Sequence, residues 1–506
     1  MHHSPIFRLS KRALVRALFG CAALACAAPA AAEKHVRVAS YSLPAALGNV
    51  HRSTSSSEIY IWTAMFDPLT LVDDNAEAIP WLATRWESVD PLTWRFYLRP
   101  GVTFSNGEPF NAEAVAVNLD YLISPEGQRE SVARVINAIK QVRVVDDLTV
   151  DIVTAFPNIM LPRELAIVRM VAPGQWRKLG PDGFARAPIG TGPFKVDSWG
   201  ASKIELSAFR GSWTPPKLDR LTFLKLPDPF TRAQAILSGN ADVAIVIGPE
   251  EVRALNDAGH THHISRGAGA MGLAFLKDTG TPIDDRRVRL ALNHAVNKER
   301  YIAALLEGAT KPASQAAPSF AIGFDPKLAP FAYDPDRARA LLAEAGVPTG
   351  FKFVAEAILG GSAADAAIFQ YMAQDLAQVG VTLEMRSIPN AEMIRKVNFG
   401  GFAGQAYNID FNVKPSLDAL RPFTACLIRE RYYCDDDMVP AIRAAQAEFD
   451  LTKRNAIVGQ LLKRLHDDPP MLYMHETVMI DGLSARVRDY RPLNLIINYH
   501  AIDLAD

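Results

Sequence analysis

Cysteine is scarce in this sequence. Four cysteines occur in 506 residues, and two of them, Cys21 and Cys26, lie near the N-terminus. The remaining pair, Cys426 and Cys434, has no third cysteine or nearby histidine with which to form a metal site. They are either two separate buried thiols or a short disulfide, and an oxidising compartment favours the disulfide. A loop this short would stabilise the fold by about 2–3 kcal/mol in the chain-entropy model, with no catalytic role.

A strong charge of either sign is also missing. The formal net charge is −1, and the N-terminal segment contributes Arg8, Lys11, Arg12 and Arg16 without one acidic residue. The rest of the chain is therefore mildly acidic, which disfavours binding to the phosphate backbone of nucleic acids. We expect no nucleic-acid partner.

Long apolar runs are absent from the chain after its N-terminal segment. No later segment reaches the roughly 18 apolar residues that a membrane span needs. Residues 1–32 combine a basic stretch, the apolar run ALFGCAALACAAPA and the small residues Ala30–Ala32. This pattern is typical of a signal peptide, cleaved here before Glu33, and predicts an exported, soluble protein. Leu18–Cys21 resembles a lipoprotein box, but Phe19 is bulky for its position, so a lipid anchor is the less favoured alternative.

Motifs for covalent chemistry are missing as well, since the sequence has no GxSxG, HExxH or paired Cys–His pattern. The spacing of His260, His262 and His263 does not place two rings on one helical face, so we interpret GHTHHIS as an exposed loop before a strand. Asp435–Asp437 lacks the spaced oxygen ligands of a calcium loop and is interpreted as a solvated helix start. We expect no cofactor and no metal.

The glycine-rich segment APIGTGPFKV, residues 187–196, is not a phosphate loop. Such a loop needs Lys and Ser or Thr directly after its second glycine, whereas Gly192 is followed by Pro193. Pro188 and Pro193 restrict φ, while Gly190 and Gly192 allow unusual backbone angles. The segment therefore predicts a sharp entry of the chain into a sheet.

Apolar residues alternate between helical and strand patterns along the chain. A length of 506 residues is too great for one ordinary core, so two or three folded units are expected. Trp94, Phe96 and Leu98 alternate with polar residues and predict a strand with one buried face; Asn111 is placed to cap the next helix. Helix-then-strand units recur in both halves, which predicts an α/β protein of two lobes.

Several segments resemble the family 5 extracellular solute-binding proteins, the oligopeptide, dipeptide and nickel receptors of ABC importers. PIGTGPF, residues 188–194, resembles the PxGTGP(Y/F) segment of that family. TWRFYLRPGVTFSNGEPFNAEAV is similar to its TWTFHLRxGVKFxDGxPFxAxDV signature, and DDRRVRLALNHAVNKER to its DxRVRxALNxAxDR helix. YDPDRARALLAEAGV resembles YxPxKAxxLLxEAG, and YYCDDDMVPAI resembles GYxNPEVDxLI. Together these segments cover about residues 35 to 490, and LPRELAIVRMVAPGQW is most similar to the nickel branch.

The resemblance implies the two-lobed fold of periplasmic binding proteins, α/β and type II-like (cluster C), with an extra subdomain inserted in lobe one and a hinge of crossing strands. The expected divisions are a signal peptide at 1–32, lobe one at 33–72, 188–277 and 488–506, the inserted subdomain at 73–187, and lobe two at 278–487.

The resemblance also places a ligand between the lobes. Arg169 would clamp a carboxylate if it faces the cleft, or form a surface salt bridge if it faces away. Asp410 would pair with an ammonium group, with Asp418 as its alternative. Trp62 lies either in the cleft or in the core. The candidate ligand-binding residues are Tyr41, Trp62, Arg169, Met271 on a crossing strand, Tyr407, Asn408, Asp410, Arg421, and Asn498 and Tyr499 on the return strand LNLIINYH.

Two details limit the resemblance. Neighbours on a strand point to opposite faces, so at most one of Asn498 and Tyr499 reaches the ligand. Pro415-Ser416 stands where the nickel branch has a proline followed by histidine, which disfavours nickel ligation through that position.

The implied function is that of a periplasmic substrate-binding protein of an ABC importer. It would capture a small polar solute, such as a di- or oligopeptide or a nickel chelate, and deliver it as a monomer to the permease subunits of the inner membrane. It would not be an enzyme. The alternatives are an exported hydrolase that uses Asp410 and Asp418, and a ligand sensor or chaperone on the same scaffold.

Overall fold

A computed structural model describes residues 33–276, 278–358, 364–412, 418–420, 436–493 and 496–505. The predicted signal peptide, Arg421, Cys426 and Cys434 lie outside these residues. In the described part of the chain, no helix combines the length and apolar character that a membrane crossing requires.

Ten strands form one large sheet. They are β1 (His35–Ser40), β8 (Phe194–Trp199), β9 (Lys203–Ala208), β10 (Arg220–Lys225), β11 (Val243–Ala244), β12 (Thr261–Phe275), β13 (Lys352–Ala357), β14 (Thr382–Ser387), β15 (Ala406–Asn412) and β16 (Met471–Leu483). Their order is β14-β13-β15-β12-β16-β11-β1-β10-β9-β8. We call β14, β13 and β15 the second half, the strands from β11 to β8 the first half, and the central pair β12–β16 the crossing ribbon.

A smaller sheet is built from the alternating segments that the sequence predicted. It contains β4 (Ala83–Asp90), β5 (Thr93–Leu98), β6 (Ile139–Asp146) and β7 (Thr149–Thr154), in the order β4-β5-β7-β6. Trp94, Phe96 and Leu98 are all buried in its core, as their alternation with polar residues predicted.

The remaining strands form three two-stranded sheets. They are β2 (Thr70–Val72) with β3 (Ala78–Pro80), β17 (Val487–Arg488) with β20 (Asp503–Leu504), and β18 (Pro492–Leu493) with β19 (Ile496–Ile497).

Helices connect the strands and cover the sheets. They are α1 (Ser56–Trp62), α2 (Ala112–Ile123), α3 (Leu161–Glu164), α4 (Pro173–Arg186), α5 (Pro229–Leu237), α6 (Pro249–Asp257), α7 (Arg286–Ala295), α8 (Lys298–Leu305), α9 (Pro335–Glu344), α10 (Asp365–Ala377), α11 (Asn390–Phe399), α12 (Val439–Ala447) and α13 (Leu451–Asp467). The Asn111 side chain accepts from the amide of Ala114 and caps α2, as predicted. Helix α4 is broken at Gly180, which has a φ of +64°.

The two halves of the large sheet have separate cores. Val36, Leu221 and Phe223 lie in the core of the first half, whereas Leu292, Phe353 and Leu376 lie in that of the second. The crossing ribbon passes between them, and this arrangement is the two-lobed α/β fold that the sequence predicted.

The crossing ribbon has an irregular centre. Arg266 pairs with Val478, but the next pair is Ala270 with Glu476, so β12 carries extra residues there. The hydroxyl of Thr477 accepts from the amide of Gly269 at 3.0 Å and donates to its carbonyl at 3.1 Å. A β-bulge of this kind bends a strand locally.

The ribbon corrects two expectations. His262 and His263 lie within β12 rather than in a loop before it, because each pairs with β16, at Gly482 and Asp481. The strand that returns beside β12 is β16; LNLIINYH instead contributes to the separate pair β18–β19.

The glycine-proline segment packs against the connection that follows α1. The amide of Gly192 donates to the carbonyl of Met65 at 2.9 Å, and the Thr191 hydroxyl donates to Asp67 Oδ2 at 2.8 Å. A β-carbon on Gly190 would lie 2.0 Å from the carbonyl oxygen of Met65. The segment leads directly into β8, as predicted, and its glycines allow this close backbone approach.

Candidate functional site

Parallel strands of both halves end toward the crossing ribbon. β1 is parallel to β10 and β11, and β11 runs antiparallel to β16 at its lobe-one end. β13 is parallel to β14 and β15. β15 pairs antiparallel with β12, and this pairing ends where Asn412 lies opposite Gly269, near the ribbon centre. The carboxyl ends of both sets therefore point toward the ribbon centre, from its opposite edges. Ligands of open α/β sheets bind outside such strand ends, so we place the candidate site here.

Strands β12 and β15 bring three of the predicted residues together. Asp410 lies directly opposite Met271, and Asn408 Nδ2 donates to Met271 Sδ at 3.0 Å. Asn408 and Asp410 are two residues apart on one strand and share a face. Because Asp410 is exposed, this wall presents a carboxylate to solvent.

The alternative acid, Asp418, has a structural role. It is buried, and its Oδ2 accepts from Arg454 Nη2 at 2.5 Å. Its Oδ1 accepts from the amide of Leu420 at 3.0 Å. A carboxylate held in this way is committed to a buried ion pair, which leaves Asp410 as the candidate for a ligand.

Tyr407 lies on the opposite face of β15 from Asp410. It is 2% exposed, and its ring stacks on Phe402 with centroids 4.1 Å apart. Residues three apart in a strand face opposite sides, so the expected cluster of Tyr407 with Asp410 does not form. We therefore leave Tyr407 out of the candidate site.

Tyr41 follows β1 directly and is half-buried at the end of the first half. The Arg232 guanidinium lies 5.9 Å from the centre of its ring, at the outer range of a cation–π contact. Arg232 itself is fully buried and donates to the carbonyls of Leu226, Pro227 and Val246.

Asp481 of β16 binds Val246 at this same end of the first half. Its Oδ1 accepts from the amide of Val246 at 2.9 Å and its Oδ2 from the Tyr490 hydroxyl at 2.8 Å. Burial raises the pKa of Asp481 to about 6. Val246 has a φ of +57°, which is rare for a β-branched residue; Arg232 and Asp481 hold its carbonyl and its amide.

Arg169 is buried rather than on the surface, which excludes the exposed salt bridge. It is 2% exposed, and its Nη1 donates to the carbonyl of Ile167 at 3.2 Å. Its Nε has no hydrogen-bond partner. Burial lowers the pKa of Arg169 to about 10, and the nearby Asp67 opposes this shift.

Asp67 accepts hydrogen bonds from other side chains and none from Arg169. Trp81 Nε1 donates to Oδ1 at 2.8 Å, and Trp213 Nε1 donates to Oδ2 at 3.0 Å beside Thr191. Arg169 is therefore a buried cation with an uncommitted donor, a group that favours a ligand carboxylate.

Trp62 belongs to the core of the first half, which is the second of its two predicted positions. It is completely buried, and its Nε1 donates to the carbonyl of Leu47 at 2.8 Å. The indole nitrogen thus has its partner without a ligand.

Asn498 and Tyr499 line a cavity of about 10 Å³ together with Asp67 and Trp81, a space for one water molecule. Tyr499 is 1% exposed, whereas Asn498 is partly exposed. A solute of several atoms does not fit in this cavity, and a contact of Asn498 or Tyr499 with the ligand stays a prediction.

Arg232 and Asp481 were not among the residues predicted from the sequence. Asp481 interrupts the apolar strand MLYMHETVMIDGL, and an acid inside such a run is a signal for a buried, hydrogen-bonded carboxylate. The histidines of GHTHHIS have separate partners: His260 accepts from the amide of Ala485, and His262 contacts Asn256.

Comparison with known proteins identifies the family. Residues 77–426 match the family model described as "Bacterial extracellular solute-binding proteins, family 5 Middle". The chain belongs to this family, whose members are substrate-binding proteins of ABC importers.

Relatives match nearly the whole chain. The glutathione-binding protein GsiB of Pectobacterium atrosepticum is 26% identical over 521 residues, covering 99% of this chain and 100% of that protein. The nickel-binding periplasmic protein of Escherichia coli is 30% identical over 452 residues, covering 83% and 85%. The periplasmic binding protein DppA of Helicobacter pylori, solved with the peptide STSA, has a TM-score of 0.79 at 21% identity and covers 93% of this chain and 98% of its own. The last comparison shows the shared two-lobed fold.

Proposed function

We propose that this protein captures a small zwitterionic solute between its lobes and passes it to an ABC permease. The observation that carries the proposal is the convergence of two sets of strand ends on the crossing ribbon, with the exposed carboxylate of Asp410 on one of them. The relatives, named as binding glutathione and nickel, support a small polar ligand of the peptide or chelate type.

Opposite charges on the protein define the ligand chemistry. Asp410 would hold an ammonium group, and Arg169 would use its uncommitted Nε to hold a carboxylate. Charge-assisted hydrogen bonds of both kinds are stronger than neutral ones and fix the ligand's orientation. Peptides and opines carry both groups, and simple sugars carry neither.

Further parts of the proposal concern the mature protein. Residues 1–32 are removed on export to the periplasm, Cys426 and Cys434 form a disulfide, and the protein works as a monomer. Lobe one comprises 33–72, 188–277 and 488–506 with the inserted subdomain 73–187, and lobe two comprises 278–487. The protein binds its ligand without transforming it and needs no cofactor.

A ligand screen tests the function. Glutathione, di- and tripeptides, opines, nickel–histidine and sugars are added to purified protein while its melting temperature is followed. Peptides or other zwitterions are expected to raise the melting temperature by mass action, and sugars to leave it unchanged. Mass spectrometry of the released ligand is expected to recover it intact; a cleaved product would contradict a binding function.

The Asp410→Asn variant tests the ligand chemistry, with Asp336→Asn as control because Asp336 is also a surface acid, at 95% side-chain exposure. For an ammonium ligand we expect Asp410→Asn to weaken binding by about tenfold or more, and Asp336→Asn to leave it unchanged. Equal affinity in both variants would contradict the role of Asp410.

A further inference from the structure

A second contact joins the two lobes apart from the crossing ribbon. One hydrophobic cluster combines residues from the N-terminal part of the chain with residues from its C-terminal part, and among its described members none belongs to β12 or β16. We call it the closure contact. Its N-terminal side is Val72, Ala76 and Ala166; its C-terminal side is Ala317, Ala321, Ala419, Leu420, Met438, Ile442, Ala445, Val458, Leu461, Leu462 and Leu465.

Six of the fourteen described members of the closure contact are alanines. Ala76 and Ala166 on one side and Ala317, Ala321 and Ala419 on the other are each at most 6% exposed. Alanine side chains allow two surfaces to approach closely. They also allow the surfaces to separate without rearranging large interlocked side chains. A larger residue at one of these positions would hold the surfaces apart.

Arg163 forms the charged border on the N-terminal side. It is 6% exposed; its Nε donates to the carbonyl of Ala76 at 2.7 Å and its Nη2 to Glu77 Oε2 at 2.6 Å. These bonds hold the turn between β2 and β3 in place against α3.

The ion pair of Asp418 with Arg454 forms the charged border on the C-terminal side. Arg454 is 1% exposed, and its Nε and Nη1 have no hydrogen-bond partner. Burial lowers the pKa of Arg163; Glu77 and Asp418 oppose this shift, and Arg454 adds to it. Arg163 is paired with Glu77, whereas Arg454 has two nitrogens without a hydrogen bond, which makes the C-terminal side less favourable than a fully paired one.

An aromatic pair extends the contact to the small sheet. Trp94 of β5 lies 5.6 Å from Phe449, with ring planes 31° apart. Phe449 is only partly buried, so its loss would affect this contact more than either core.

We propose that the closure contact is a latch that sets how much of the ligand-free protein is closed. Its apolar residues favour closure, while the incompletely paired Arg454 limits the gain. The closed fraction scales the apparent affinity for any ligand that needs the closed state. This last point rests on the proposed function; the latch itself does not.

Small-angle X-ray scattering of ligand-free protein tests the latch. Ala321→Leu and Phe449→Ala are expected to increase the radius of gyration, while Ala343→Leu, on the exposed face of α9, leaves it unchanged. Urea unfolding identifies a variant that fails to fold. Because Phe449 lies at the partly exposed rim, Phe449→Ala decides the question if Ala321→Leu does not fold.

A radius of gyration equal to wild type in the folded variants would overturn the latch. With a ligand in hand, the latch variants are expected to bind it about tenfold more weakly. If no ligand is found but the radius still increases, the proposed function fails and the latch stands. If ligands bind and the radius does not change, the latch fails and the function stands.

Discussion

Individual side chains show how far local chemistry can be inferred from sequence. Asp410 was the candidate in the sequence and Asp418 its alternative; in the structure Asp410 is exposed and Asp418 is buried in an ion pair with Arg454. Spacing alone did not separate them, because the partner lies 36 residues away in α13. Tyr407 was predicted to bind the ligand, but it lies on the face of β15 opposite Asp410. The alternation of side chains shows this only once the bounds of the strand are known.

Lys298 provides a residue-level prediction. It is 3% exposed, its Nζ donates to the carbonyl of Asn293 at 2.6 Å, and burial lowers its pKa from 10.5 to about 7. Between pH 7 and 10.5 the unfolded chain therefore binds a proton that the folded protein lacks, so this residue makes stability increase as pH rises through that window.

The measurement is urea unfolding of wild type and Lys298→Met across pH 7 to 10. We expect the stability advantage of Lys298→Met to be largest near pH 7 and to shrink toward pH 10. An advantage that is constant with pH would mean that Lys298 keeps its ordinary pKa in the folded protein.

Secondary-structure elements were predictable where a single face is buried. The alternation in TWRFYL located β5, and Asn111 located the start of α2. The crossing ribbon was less predictable because apolar and polar residues do not alternate in MLYMHETVMIDGL. Strands that are covered on both faces often lack this alternation. The bulge at Gly267–Gly269 depends on Thr477, a residue of the other strand, although glycine inside a strand is itself a signal for a bulge.

The glycine-proline segment gives a prediction at the scale of an element. A β-carbon on Gly192 would lie 2.5 Å from the carbonyl carbon of Met65, and backbone atoms cannot move aside as a flexible side chain can. Gly192→Ala is therefore expected to reduce the free energy of unfolding by about 1–3 kcal/mol or more.

Gly459→Ala is the matched control. Gly459 lies inside α13, and a β-carbon there would meet nothing within 4 Å. Alanine has the higher helix propensity, so this variant is expected to gain about 0.5–1 kcal/mol. Urea unfolding measures both changes, and similar losses in the two variants would contradict the packing explanation for the motif.

For the molecule as a whole, the two-lobed architecture was predictable from the sequence, whereas the arrangement of the candidate site was not. Motifs spread over about residues 35 to 490 indicated two lobes, and the family match over 77–426 agrees. The meeting of strand ends at the ribbon, the isolation of Arg169 and the alanine contact between lobes depend on distances between remote segments, and no local pattern encodes them.

Scattering with and without ligand is the most direct test of the central claim that two lobes close on a solute. A zwitterion that raises the melting temperature is added at saturation, and the radius of gyration is compared with that of the ligand-free protein. We expect a smaller radius, since the ligand binds the closed state and shifts the population toward it. A bound ligand with an unchanged radius would contradict the account.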